Sequence, residues 1–301
     1  MLPLVHLSKS FAPDSTAIAA VSTAQMTIFQ GIVLGLVQGL TEFLPISSTA
    51  HLKVVPIVLG WGDPGVAFTA VIQLGSIAAV LWYFWGDLTQ VLTGAFKAIQ
   101  KSDYQSQEFR MAVGIALGTI PIVFCGVLVK LFIPDFDNSP LRSTGAIAGV
   151  SIVMGLLMGI SEKATKRQRE FGDLGAMDGV VMGLAQALAI IPGVSRSGST
   201  LTAGMFMGLE RPTAARFSFL LGIPAITLAG LVELLGLLKD GLGETGLTPL
   251  IAGVISAAVF SYAAIAWMLE YLKKHGIWIF VWYRALFGVA IFIAMAGGWL
   301  Q

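Results

Sequence analysis

Two stretches of this chain gather side chains that can hold charge and move protons. The first contains Gln38 and Glu42, then Pro45-Ile46-Ser47-Ser48-Thr49-Ala50-His51. Gln38 and Glu42 stand four residues apart and so share one face of a helix. Ser47-Ser48-Thr49 follows a proline and reads as a helix N-cap. The next helix then begins with free N–H groups pointing at the turn, which attract anions through donors and dipole together. His51 lies on that helix's first turn, and histidine is suited to proton transfer near neutrality. The second stretch is Pro192-Gly193-Val194-Ser195-Arg196-Ser197-Gly198-Ser199-Thr200. Gly193 and Gly198 let a ligand approach the backbone. Ser195, Ser197, Ser199 and Thr200 supply hydroxyls, and Arg196 supplies a planar fork suited to phosphate or carboxylate. A purely structural pairing of Arg196 with Glu42 leaves four hydroxyls and two glycines in nine residues unexplained. Two helix N-termini and an arginine facing one another suit a ligand with two or more anionic groups, such as a diphosphate. Glu42 repels such a ligand unless it is protonated or a divalent cation lies between them. Mg²⁺ or Ca²⁺, with Glu42 and Gln38 as the protein ligands, is the cation to expect, since Mg²⁺ is commonly held by carboxylates plus substrate phosphates.

These groups sit in an apolar chain. It has 301 residues, 56% hydrophobic and 12% charged, against about 25% charged in soluble domains. The composition predicts an all-α polytopic membrane protein. Net charge is +1, which gives no case for nucleic acid. The lone Cys125 excludes a disulfide within one chain. A spanning helix needs about 20 apolar residues, and six runs qualify: roughly 66–86, 109–132, 143–161, 214–238, 248–270 and 278–299. Two further apolar regions, 28–59 and 175–208, are broken at Pro45–Thr49 and at Pro192–Ser199. Their halves of about 11–17 residues are too short to cross, which is the pattern of a re-entrant helical hairpin.

The broken regions resemble each other. Gly35-Leu36-Val37-Gln38-Gly39-Leu40 is echoed by Gly183-Leu184-Ala185-Gln186-Ala187-Leu188, and each precedes a proline and a serine-rich turn. The chain therefore reads as a hairpin plus three spans, twice. Three is odd, so the second hairpin enters from the opposite face, giving an inverted-topology repeat with its site where the broken elements meet. We expect a single membrane domain over 27–301, with repeat one at about 27–162 and repeat two at about 174–300. Residues 1–26, with Asp14 inside and only Lys9 basic, do not form a signal peptide and read as an N-terminal extension. Charge tests this topology. Lys97, Lys101, Arg110, Lys163, Lys166, Arg167, Arg169, Arg211, Arg216, Lys273 and Lys274 fall in loops on one side, whereas only Arg142 and Lys239 fall in those on the other. The basic side is cytoplasmic by the positive-inside rule, which puts the first hairpin and both termini outside. Among the other polar residues, Gln73 could line the cavity but reads first as packing, and Glu233 and Glu270 read as solvated span ends. No Walker loop, Rossmann fingerprint, HExxH or zinc-ligand spacing occurs.

The two polar stretches together carry a resemblance. Gln38-x-x-x-Glu42-Phe43-Leu44-Pro45-Ile46-Ser47-Ser48-Thr49-Ala50-His51 resembles the first signature of the bacterial undecaprenyl-diphosphate phosphatases, the bacitracin-resistance family. Pro192-Gly193-Val194-Ser195-Arg196-Ser197-x-x-Thr200 resembles the second, and the likeness runs from about residue 27 to 300. It implies hydrolysis of an isoprenyl diphosphate lipid to its monophosphate, in the bacterial cytoplasmic (inner) membrane, recycling the carrier lipid of peptidoglycan synthesis. It implies a site on the periplasmic side. Glu42 matches the family's essential acid, and Ser48 and His51 its proposed nucleophile or acid/base residues. Ser195, Arg196 and Thr200 match its phosphate-binding group. The attacking group stays open between water, Ser48 and His51. Gln38 stands where many members have glutamate, which puts the weight on Glu42. Inverted repeats with broken helices are equally typical of secondary transporters, so movement of an anion or a lipid phosphate is the rival reading. The sequence leaves the oligomeric state open, a homo-oligomer included.

Overall fold

Glycines at helical spacing decide where the helices of this protein touch. The computed structural model describes residues 26–62, 64–133, 135–136, 139–164, 166–240 and 246–300. Residues 1–25 of the N-terminal extension and residues 241–245 of the loop at 239–247 lie outside them. Among the described residues the chain is all α. Its helices are α1 (Ile28–Phe43), α2 (Ser48–Val58), α3 (Val66–Tyr83), α4 (Trp85–Lys101), α5 (Gln107–Phe132), α6 (Thr144–Ala164), α7 (Ala176–Ala187), α8 (Arg196–Phe206), α9 (Arg211–Asp240), α10 (Leu247–Lys274) and α11 (Trp278–Ala296).

On α1, Gly31, Gly35 and Gly39 lie so close to the carbonyls of Pro249, Gly253 and Ala257 on α10 that a Cβ at any of them would collide. On α7, Gly179 and Gly183 meet the backbone of Gly114 and Gly118 on α5 in the same way. Small residues bring helices together where lipid supplies no hydrophobic drive between them. Each half of the chain thus anchors the first arm of its broken helix on a long span of glycine-lined backbone.

Among the described residues five helices are long and apolar enough to span a membrane, and α3 with α4 makes a sixth candidate bent by 65°. α5 faces outward most, with 17% of its apolar window buried and Ile120, Phe124, Val127 and Leu131 exposed. The segment at 87–110, expected to be a loop, is helical over Trp85–Lys101. That helix buries Val91 and Ala98 and exposes Leu92, Phe96 and Ile99. Its mixed apolar and polar surface explains the missed assignment. The main core lies between α1, α3, α8 and α9, where Phe43, Phe217 and Phe219 are fully buried and the Phe43 and Phe219 rings meet edge to face at 5.5 Å.

Paired charges tie the helix ends on the basic side. Arg169 donates to both oxygens of Asp178 at 2.8 Å, and that carboxylate holds the guanidinium above its usual range. Arg211 and Arg167 share Glu162, and Arg216 pairs with Asp87.

Candidate functional site

Each broken helix turns on one serine. Ser47 has φ +77° and Ser195 φ +70°, a region that non-glycine residues enter at a cost of about 1–3 kcal/mol. The two serines stand directly before α2 and α8. The Ser195 hydroxyl caps its helix, accepting from the Gly198 N–H at 3.2 Å. Ser47 holds the corresponding position without a side-chain cap. The polar run at Pro192–Ser199 is therefore only partly a loop, because Arg196 to Ser199 form the first turn of α8.

Strained turns persist only when their surroundings over-determine them, and here the surroundings centre on Arg284. This α11 side chain is fully buried. It donates to the Pro45 carbonyl at 3.0 Å, the Gly193 carbonyl at 2.5 Å and the Ser151 carbonyl at 3.1 Å. One guanidinium thus fastens both turns. The Ser197 hydroxyl adds a second link, donating to the Leu44 carbonyl at 3.1 Å. Sequence reasoning missed Arg284. Its signal was a lone arginine in the middle of the apolar run 278–299, a placement too expensive in hydrocarbon to be idle.

Between the turns lies a cavity of about 190 Å³, lined by Glu42, Ser47, Ser48, Thr49, Gln73, Gly193, Ser195 and Arg196, with Ile122, Ile191, Ala225 and Ile226 among its apolar walls. Gln73, read first as packing with cavity lining as the alternative, lines this space. Glu42 is the hub. Its Oε2 accepts from Ser48 Oγ at 2.8 Å and from Gln38 Nε2 at 3.2 Å, while Oε1 lies 3.5 Å from Arg196 Nη2. Arg196 and Glu42 are both 9% exposed at the side chain. The Arg196 Nε and Nη1 are buried without any protein partner. An incompletely paired buried cation is costly, and this one lies at the cavity.

The remaining sequence-selected residues have other partners. Thr200 Oγ1 donates to the Arg196 carbonyl at 2.8 Å and lies 2.5 Å from Ser218 Oγ on α9, so it braces the start of α8. His51 does not line the cavity. Its Nδ1 meets the Ser47 carbonyl at 2.7 Å and its Nε2 the Tyr283 hydroxyl at 2.6 Å, and its ring stacks on Phe287 at 4.3 Å. A carbonyl only accepts, so Nδ1 carries a proton and holds the strained turn in place.

The neighbours of Glu42 are N–H and O–H donors, and no group of three His, Cys, Asp or Glu side chains gathers among the described residues. The donor set therefore fits a divalent cation only where substrate phosphates share it. A larger cavity of about 320 Å³, lined by Asp87, Thr213, Arg216 and Lys273, has its charges paired already: Arg216 with Asp87 and Lys273 with Glu270.

A family profile described as bacitracin resistance protein BacA matches residues 31–290. Among similar proteins, an undecaprenyl-diphosphatase of a Nostoc species is 68% identical over 92% of this chain and 87% of its own length. An undecaprenyl-diphosphatase of Trichodesmium erythraeum is 62% identical over 93% and 90%. One from a Synechococcus species is 62% identical over 96% and 97%.

Proposed function

The chain belongs to the bacitracin resistance protein BacA family, and on that premise we propose that it hydrolyses undecaprenyl diphosphate, to undecaprenyl phosphate and inorganic phosphate, in the cavity between its two turns. The observation that carries this reading is Arg196, buried at the cavity with Nε and Nη1 unpartnered. These donors and the first-turn N–H groups of α2 and α8 hold the diphosphate and stabilise charge as the terminal phosphoryl group transfers. The cavity has room for a headgroup, and the lipid tail lies outside it against the apolar helices.

Ser48 is the attacking group. Its hydroxyl already donates to Glu42 at 2.8 Å, the nucleophile-and-base pairing expected of an activated serine. The Ser48 oxygen attacks the terminal phosphorus while its proton passes to Glu42. The lipid monophosphate leaves, and water then releases phosphate from the serine. Gln38 holds the Glu42 carboxylate from behind. His51 acts through the Ser47 carbonyl rather than on substrate. Glu42, with Gln38 beside it, would hold a divalent cation, Mg²⁺ or Ca²⁺, shared with the phosphates, and such an ion would supply charge neutralisation.

The protein sits in the bacterial cytoplasmic membrane as an inverted repeat with its cavity open to the periplasmic side. The distribution of Lys and Arg supports this orientation. The experiment is phosphate release from a soluble short-chain prenyl diphosphate by purified protein in detergent, without any ion gradient and with or without chelator. Wild-type protein releases phosphate, chelation lowers the rate, and Arg196→Ala loses at least about 10³-fold while still folding. Normal release by Arg196→Ala would sink the assignment.

A further inference from the structure

Arg196 can occupy its position because the helix opposite has no side chain there. Its guanidinium crosses α9 at Gly222, and a Cβ built on Gly222 would overlap Nη1 and lie 2.6 Å from Cζ and 3.3 Å from Nη2. The packing glycines of this protein behave differently. A Cβ on Gly35, Gly75 or Gly118 meets the carbonyl of Gly253, Val254 or Gly179, which cannot move without parting two helices. At Gly222 the nearest obstacle is the far end of a flexible side chain, so the guanidinium yields and the helices stay.

We propose that Gly222 is a positioning residue for phosphate binding: it is the notch in α9 that lets the Arg196 guanidinium lie at the cavity. Two neighbours support this. Ser218, one turn earlier on α9, meets Thr200 Oγ1, and Thr200 also holds the Arg196 carbonyl. Ala225 and Ile226, one turn later, line the cavity. A single face of α9 therefore supports the Arg196 backbone, leaves space for its head group and continues as the cavity wall. A methyl at 222 pushes the guanidinium off this face, away from Glu42 or into the space for the diphosphate. The inference rests on the reading of Arg196 as the phosphate holder.

The test compares Gly222→Ala with wild type, and repeats the substitution in an Arg196→Ala background. Displacing a binding group by about 1 Å can cost about 10²-fold, so Gly222→Ala should lower kcat/KM for a short-chain prenyl diphosphate by about 10²-fold. Its thermal midpoint should stay level or fall only slightly. Without the guanidinium nothing else stands within 3.3 Å of the methyl, and alanine is the better helix former. In the Arg196→Ala background the same substitution should therefore raise the midpoint. Gly75→Ala is the packing control and should lower the midpoint in both backgrounds. Unchanged kcat/KM in Gly222→Ala would overturn the inference, as would an equal fall in midpoint with and without Arg196, which would make Gly222 a packing residue. If Arg196→Ala itself keeps wild-type release, the reading of Arg196 fails as well. A normal Gly222→Ala beside an inactive Arg196→Ala sinks the notch alone.

Discussion

Ser48 and His51 stand three residues apart in the sequence, and the fold gives them different partners. Ser48 faces Glu42 in the cavity, whereas His51 is held between the Ser47 carbonyl and the Tyr283 hydroxyl. At the scale of single residues this gives different surroundings to two groups that the sequence left interchangeable. An asparagine amide can still donate to the Ser47 carbonyl, so His51→Asn should keep turnover within about tenfold of wild type, while His51→Ala loses about 10²-fold. A general base at His51 would make the two variants equally poor. Rapid-quench trapping should find a phosphoryl label that Ser48→Ala abolishes and His51→Asn retains. The placement of Glu42 and Arg196 at the cavity was legible from residue type and depth, because an ionised group in an apolar run needs a reason to be there. Which hydroxyls face the cavity was not legible. Ser195 lines it, Ser197 fastens the other turn and Thr200 braces α9, and one helical turn of rotation decides among them.

At the scale of elements, each half-helix depends on a turn that is strained on its own. The strain at Ser47 and Ser195 is offset by contacts from other parts of the chain, above all those of Arg284. Arg284→Met should lower stability by about 3 kcal/mol in a denaturant melt in detergent, because the buried carbonyls of Pro45, Gly193 and Ser151 each lose a donor. Phosphate release should fall with it as the turns relax. A variant with wild-type stability and turnover would show that the turns hold themselves. The breaks in the two regions could be read from their prolines and serine clusters. The partner of the breaks could not, since Arg284 is 239 residues from Pro45 along the chain. The extent of α4 was also hidden, because its mixture of threonine, glutamine and apolar residues looks like a loop until the bend lays it along α5.

At the scale of the molecule, the proposed phosphatase site lies where the two turns approach each other, and the charge pattern is the argument for which way the molecule lies. In a Cys125→Ser background, an impermeant thiol reagent on intact cells should label Leu141→Cys and leave Lys274→Cys unmodified. The opposite pattern would reverse the orientation. The sequence by itself determined that the chain is helical and lives in a membrane, where its helices break, which residues are too polar to be idle, and, through two motifs, its family. These follow from composition and from spacing along one element, both of which are local. The tertiary structure alone decided that Arg284 locks both turns and that two nitrogens of Arg196 stay unpaired. It also decided that Gly222 makes room for that guanidinium and that His51 stands behind the site. Each of these depends on groups brought together from distant parts of the chain, and only the packing of long helices on glycine-lined backbone fixes those distances.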